Sequence, residues 1–459
     1  MKVSFHVSFR LMTLVIVGLV FISGISLFWF QNRHRNSIDK RDREANALIL
    51  NWYQLFLEAD RYTEGYRGPI SARTAAYIAM ASYQAALPYS QEHYLSLETL
   101  YPVKFAKFDP VYEFHLGAAL NACFRTCFEK YFVTAPISIH NKFQQTFISN
   151  RNRFLTTASL EQIKHSEMFG EEMALAVYDY SAEDSIGHMA YLHLYDPAYV
   201  SPKGFGMYSI NPKHPLPPLL PYWGNVRPFI IVTEKNLAKP LSDYRYDPSS
   251  VFYTEALEIL TVSSPLSNEN KWIAEFWSDD HPGLTFTPST RWISIANQVV
   301  FEQELETGVL LEFYLKLSFG LADAGIACWN SKYHYNLERP EAFIVNALNP
   351  KWEPLSAAPN FPSYPSGHSI FGAVAAEVLT QFFGKQYEIT DDSHKDRDEF
   401  DGKPRFFKSF YAMAFENAYS RISLGVHFRS DCEEGLSMGF KIGKEICKVN
   451  LRSKDYSSK

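Results

Sequence analysis

The sequence predicts an all-α protein, and three observations lead there. Glycine is scarce, at 22 of 459 residues. Long apolar stretches recur with helical rather than alternating period, which favours helices over strands. Apolar content of 46% against 20% charged residues describes a well-cored globular chain. The expected architecture is a set of helix bundles, with a functional site between facing helices and their connecting turns, plus one N-terminal hydrophobic segment.

The elements follow in order. Residues 11–30 carry no charge, follow Lys2 and Arg10, and precede Arg33, Arg35, Lys40, Arg41 and Arg43. About 20 apolar residues suffice to span a bilayer, so residues 1–35 read as a membrane anchor or signal segment. Small residues at Ser23, Gly24 and Ser26 keep cleavage open. The basic cluster after the segment argues against simple export of the C-terminal body. Residues 31–60 read as a polar stalk turning into helix. Amphipathic helices are expected over 65–135 and 158–183, for example Ala72 to Ala85 and Phe114 to Phe132. Residues 201–250 hold nine of the 25 prolines. Proline removes a donor and clashes inside a helix, so this stretch is a long ordered loop or crossover. Helical patterning resumes at Phe252 to Leu260. One long helix is expected from Trp292 to about Cys328, ending just before Lys332, and another at Ile370 to Phe383. The charged run 388–405 reads as a solvated loop. Within it, Asp391 to Asp398 imitates a calcium loop but lacks the required glycine and terminal glutamate. The length divides into three regions: 1–35, a helical region 36–250 ending in the proline-rich connection, and a helical bundle 251–459.

The formal net charge is −6 and there is no basic stripe, so no nucleic-acid partner is expected. Cys123, Cys127, Cys328, Cys432 and Cys447 are odd in number and form neither a disulfide framework nor a zinc pattern. They read as small buried hydrophobes.

Three motifs near the C-terminus carry the chemistry. The first runs from Lys332 to Arg339-Pro340. The second is Pro365-Ser366-Gly367-His368. The third runs from Ser420-Arg421 through His427 to Asp431. Together they offer three cations, a hydroxyl, a glycine amide and two histidines. Arginine's planar fork matches oxyanion geometry, so Arg339 and Arg421 are natural clamps, and Lys332 adds a point charge. Ser366 and Gly367 precede an apolar helix, whose N-terminus favours an anion. Gly367 permits close backbone approach. One histidine can bind the central atom while the other exchanges protons. Asp431, one helical turn after His427, can orient that imidazole. Taken singly, each residue has a plainer reading: Ser366 as a helix cap, Arg421 as a surface cation, the histidines as core residues.

The three motifs resemble those of the vanadium-dependent haloperoxidases and the related type 2 phosphatidic acid phosphatases and bacterial acid phosphatases. The resemblance runs roughly from Arg291 to Gly443. Upstream, Leu219 to Phe229 and Pro282 to Pro288 look like segments of bacterial haloperoxidase-like proteins. The resemblance implies vanadate as cofactor and His427 as the vanadium ligand. It implies that Lys332, Arg339, Ser366, Gly367 and Arg421 hold the vanadate oxygens, with His368 as the acid–base residue. Catalysis would rest on His368, His427 and Arg421. Trp329 and Phe361 match aromatic positions on the halide side of chloroperoxidase- and iodoperoxidase-like members. The implied activity is oxidation of halide by hydrogen peroxide to hypohalous acid. The alternative is hydrolysis of a phosphomonoester through a phosphohistidine at His427, with His368 protonating the leaving group. Family resemblance also implies an exported enzyme on the periplasmic or extracellular side, in conflict with the basic cluster after the N-terminal segment, so the protein is expected to be membrane-anchored or exported.

Overall fold

The computed structural model describes residues 38–397 and 399–453. The anchor expected at residues 11–30 lies outside them. Among the described residues no helix is long and apolar enough to cross a membrane.

Helix α1 (Lys40–Tyr62) starts at Asp39, whose carboxylate accepts the Arg41 N–H. It is followed by α2 (Gly68–Ser90), α3 (Leu116–Tyr131), α4 (Ile137–Phe154) and α5 (Leu160–Ala182). The proline-rich stretch then runs as loop and short 3-10 turns. Helices α6 (Val251–Ser263), α7 (Asn268–Phe276) and α8 (Thr290–Phe301) lead to α9 (Thr307–Tyr335) and α10 (Pro340–Ala347). Helix α11 (Gly367–Phe383) precedes a two-stranded antiparallel ribbon, β1 (Ile389–Asp391) and β2 (Arg405–Phe407). Helices α12 (Phe410–Leu424) and α13 (Arg429–Cys447) close the chain.

Three helices are buried on nearly every face: α2 over Gly68 to Ala86, α9 over Leu310 to Trp329, and α11 over Gly367 to Ala376. Helices that are apolar all round belong in the centre of a large core. α2 packs on α9, α9 on α11, and α11 on both α12 and α13. One hydrophobic cluster runs from Ala45 in α1 to Leu451 after α13.

Glycines at four-residue spacing set the α11–α13 distance. A Cβ on Gly435 would lie 2.7 Å from the Ser366 carbonyl oxygen, and one on Gly439 would lie 2.5 Å from that of Ile370. Only hydrogen fits there, so α13 seats against the α11 backbone. The proline-rich crossover is tied down differently. Asp323, buried in α9, accepts the N–H groups of Phe229, Ile230 and Ile231 at 2.7, 2.8 and 3.0 Å.

Several expectations need correction. The single helix from Trp292 to Cys328 is two, α8 and α9, broken at 302–306. Asp42 and Asn46 of α1 hold the break: the Thr307 N–H donates to Asp42 at 3.1 Å and the Asn46 amide donates to the Leu305 carbonyl at 2.6 Å. α9 also continues past Lys332 to Tyr335, where Asn336 adopts the left-handed conformation (φ 49°). α4 was not expected at all. It buries only Ile139, Phe143 and Phe154, so few apolar residues mark it in the sequence. The run 388–405 is solvated only in part. Its ends form the ribbon, and Asp391 and His394 are buried beside Arg291, whose guanidinium donates to Asp391 at 2.8 Å. A buried cation requires such a counter-charge. All five cysteines are free thiols, four of them buried.

Candidate active site

The three motifs converge because four helix ends meet. Lys332 comes from the last turn of α9, Arg339 caps α10, Ser366 caps α11, and Arg421 lies in the last turn of α12. The turn into α13 supplies His427. The Ser366 N–H donates to the Asp431 carbonyl at 2.9 Å, which locks the start of α11 to the start of α13.

Every member of the predicted cage is buried: Lys332, Arg339, Ser366, Gly367, His368, Arg421 and His427. Each cation uses some donors for position and keeps others. Lys332 donates to the carbonyls of Pro362 and Ser363 at 2.9 and 2.8 Å, leaving its third N–H. Arg339 donates through Nε to the Phe361 carbonyl and through Nη1 to the Val426 carbonyl, both at 2.9 Å. Arg421 donates through Nη1 to the Trp277 carbonyl at 3.1 Å. Among the described residues, Arg339 Nη2, Arg421 Nε and His368 Nε2 are buried without a hydrogen-bond partner. The Ser366 hydroxyl oxygen accepts the Ser369 N–H at 3.4 Å, which leaves its proton to donate.

His427 is oriented through both ring nitrogens. Nδ1 lies 2.8 Å from Asp431 Oδ2, and Nε2 lies 3.2 Å from Arg339 Nη1. A carboxylate accepts only, so the proton belongs on Nδ1 and the Nε2 lone pair faces the cations. Burial and the three cations hold both His427 and His368 neutral, well below the usual histidine range. Burial pulls the Lys332 ammonium down, and the nearby Arg339 adds to this. Burial also lowers Arg339 and Arg421 to about 10, with Asp431 and Asp279 respectively opposing the shift. Both guanidinium groups stay charged.

A Cβ on Gly367 would meet Trp329 at 3.7 Å, an ordinary contact. The protein's own packing therefore does not demand glycine here. Phe361 and Trp329 sit together, ring centroids 5.0 Å apart. The Phe361 ring also lies under Lys332 Nζ at 5.1 Å and the Arg339 guanidinium at 4.9 Å.

Sequence reasoning missed three contributors. Ser363 sits inside the 360–365 segment, and its hydroxyl donates to Asp431. Asp279 and Asp280 flank Arg421 electrostatically and precede the Pro282 segment. Their short spacing before a segment already of interest was the available signal.

The chain is similar to known proteins in its fold and in its C-terminal bundle. Residues 312–454 match the family model for the VCPO second helical-bundle domain. A vanadium chloroperoxidase of Curvularia inaequalis is 22% identical over 295 residues, 48% of each chain, so this chain spans about half the length of that relative. Among solved structures, a bacterial vanadium-dependent iodoperoxidase superposes with a TM-score of 0.78 at 23% identity, covering 89% of this chain and 98% of that one. A holo-type bacterial vanadium-dependent chloroperoxidase follows with a TM-score of 0.59 at 14% identity, covering 84% and 93%. The helical fold is that of these proteins, and the bundle that carries the cage is similar to the second helical bundle of the vanadium chloroperoxidases.

Proposed function

We propose that the protein is a vanadate-dependent haloperoxidase-like enzyme that oxidises halide with hydrogen peroxide to hypohalous acid. One observation carries the reading: three buried cationic side chains, with donors left over, gather round an imidazole whose Nε2 lone pair is fixed toward them. Buried charge is costly unless compensated. The unpartnered donors on Arg339 and Arg421, with the free proton of Ser366 and the third N–H of Lys332, suit a highly charged tetrahedral oxyanion.

In this reading Lys332, Arg339, Ser366, Gly367 and Arg421 hold the oxygens of vanadate, and His427 Nε2 is its protein ligand. Bound vanadate supplies a Lewis acid that withdraws charge from coordinated oxygens. The remaining work belongs to the chain. His368, neutral and with Nε2 unpartnered, would accept a proton from incoming hydrogen peroxide and give it to the oxygen that leaves as water, while a proton from solvent completes the hypohalous acid. The cations are already fixed by backbone carbonyls, so they stabilise developing negative charge without reorganising. Asp431 keeps His427 in the tautomer that presents Nε2.

The same fixed tautomer makes Nε2 a nucleophile, and this keeps phosphomonoester hydrolysis as the second reading. An assay of purified protein with and without orthovanadate separates them. It uses chloride, bromide and iodide with hydrogen peroxide, and a phosphomonoester in parallel. Oxidation of bromide or iodide is expected in the vanadate-loaded form, with weak phosphatase activity confined to the vanadate-free form. Vanadate-inhibited phosphatase turnover without any halide oxidation from about pH 5 to pH 8 would overturn the peroxidase reading. Charge alone does not distinguish phosphate from vanadate, so millimolar phosphate should compete with vanadate loading. Loading that is insensitive to phosphate would show that the cage is not the vanadate site.

A further inference from the structure

One oxygen of Asp431 accepts three donors while the other accepts none. Oδ2 takes the His427 Nδ1–H at 2.8 Å, the Phe428 N–H at 3.1 Å and the Ser363 hydroxyl. Oδ1 is buried and unpartnered. The His427 and Phe428 donors both come from the turn that Asp431 itself caps, so they move with it. Ser363 comes from a different segment. Its N–H donates to the Leu337 carbonyl at 2.9 Å, between α9 and α10. Its own carbonyl accepts from Lys332 at 2.8 Å. Ser363 is fully buried, so no water competes for its hydroxyl.

We propose that the Ser363 hydroxyl is a positioning group that acts through Asp431 to fix the His427 ring for coordination. This rests on the haloperoxidase-like reading of the cage. The hydroxyl oxygen also lies 3.4 Å from His427 Nδ1, a much longer contact than the 2.8 Å between Nδ1 and Asp431, so its main hold on the ring runs through the carboxylate. It acts by fixing which carboxylate oxygen faces the imidazole. An Asp431 side chain free to rotate about its last bond would exchange Oδ2 for the unpartnered Oδ1, and the ring would lose its fixed orientation. The cross-segment bond also registers the vanadium ligand against the Lys332 and Arg339 segment, where the oxyanion clamps reside. Ser363 thus has two separable contacts: a backbone carbonyl that any residue would supply to Lys332, and a hydroxyl that only serine or threonine would supply to Asp431.

That separation defines the test. Ser363→Ala removes the hydroxyl and keeps the carbonyl. Orthovanadate should bind the variant about 10-fold more weakly, the size of effect usual for partners of metal ligands. Inorganic phosphate, held by the cations without a bond to His427, should bind within about twofold of wild type. The vanadium-51 resonance of bound vanadate should shift, because the ligand field depends on how the ring is held. In an Asp431→Asn background the Ser363→Ala change should add less than about twofold, because its route is already cut. Thermal unfolding of each variant confirms that the fold is retained, and Ser363→Thr should restore vanadate affinity towards wild type.

Unchanged vanadate affinity and resonance in Ser363→Ala would overturn the proposal. So would equal losses for vanadate and phosphate, which would assign Ser363 to packing of the cage, and so would additive effects with Asp431→Asn. Failure of wild-type protein to bind orthovanadate at all would instead count against the haloperoxidase-like reading.

Discussion

His427 and Phe361 show how much single residues carry in this site. Because His427 Nε2, fixed by Asp431 on the other ring nitrogen, is the proposed vanadium ligand, His427→Ala should abolish measurable vanadate binding by calorimetric titration. Wild-type affinity in that variant would remove it as the ligand. Phe361 has a larger part than its aromatic position implied. Its carbonyl accepts from Arg339 and its ring lies under both Lys332 and Arg339. Desolvated cation–π contacts contribute about 2 kcal/mol or more each. Phe361→Ala should therefore weaken vanadate affinity about 10-fold or more as well as alter halide oxidation. Trp329→Phe, which keeps an aromatic ring beside Phe361, should change halide rates with affinity intact. Parallel titrations and initial rates check both. At this scale the motif residues were legible, because their chemistry is written in their identity. The ring beneath two cations and the Ser363 link were not, because they depend on segments distant in sequence meeting in space.

Helices explain why the cage is held so firmly. The α13 stripe of Gly435, Gly439 and Gly443 lets His427 and Asp431 reach the start of α11. Gly439→Ala would drive a methyl into the Ile370 backbone and should cost about 1–3 kcal/mol, measured by denaturant unfolding. Vanadate affinity should fall with it, because α13 must move away from α11. Asp323 makes a second prediction. Its buried carboxylate has its pKa raised from 3.8 to about 6 by desolvation, and the three backbone donors only partly oppose this. A raised acid binds its proton more tightly in the folded state than in the unfolded one. Its ionisation therefore weakens the fold as pH rises through about 6, and stability returns as pH falls toward the unfolded value. Asp323→Asn should remove that pH dependence, seen in unfolding curves between about pH 4 and pH 7. It should also destabilise the protein at neutral pH by about 1–3 kcal/mol, since an amide cannot accept all three N–H groups. Apolar periodicity revealed most helices. It did not reveal the α8–α9 break, which α1 side chains impose from far away, or α4, which is mostly polar and buries only three side chains.

Across the whole molecule, α2 on α9 joins the N-terminal helices to the bundle that bears the cage. Both partners are buried on nearly all faces, and the core passes between them without a gap. The proposed division at residue 250 therefore separates two regions of sequence rather than two independent cores. Fragments 36–250 and 251–459, expressed apart, should each expose the apolar face of α2 or α9 and fail to give cooperative unfolding. Mixed together they should recover vanadate binding if they reassemble. A cooperative melt from either fragment alone would contradict the shared core. Helical class and proline-rich crossover were readable from composition and pattern. The contact between α2 and α9 was not, because two all-round apolar helices carry no mark of which face meets which partner.

The free thiols have a consequence for survival in use. Cys328 lies beside Gly367 and Cys432 follows Asp431, so two sulfurs pack against a chamber proposed to handle peroxide and release an oxidant. Thiolate, not thiol, is the form that oxidants attack fastest. Burial raises Cys328 to about 11 and pushes Cys432 higher still, so both remain protonated at any pH the fold is suited to. The same close packing that builds the cage thus passivates two oxidisable neighbours, and under repeated exposure to hydrogen peroxide the protein should form no sulfenic acid at either position.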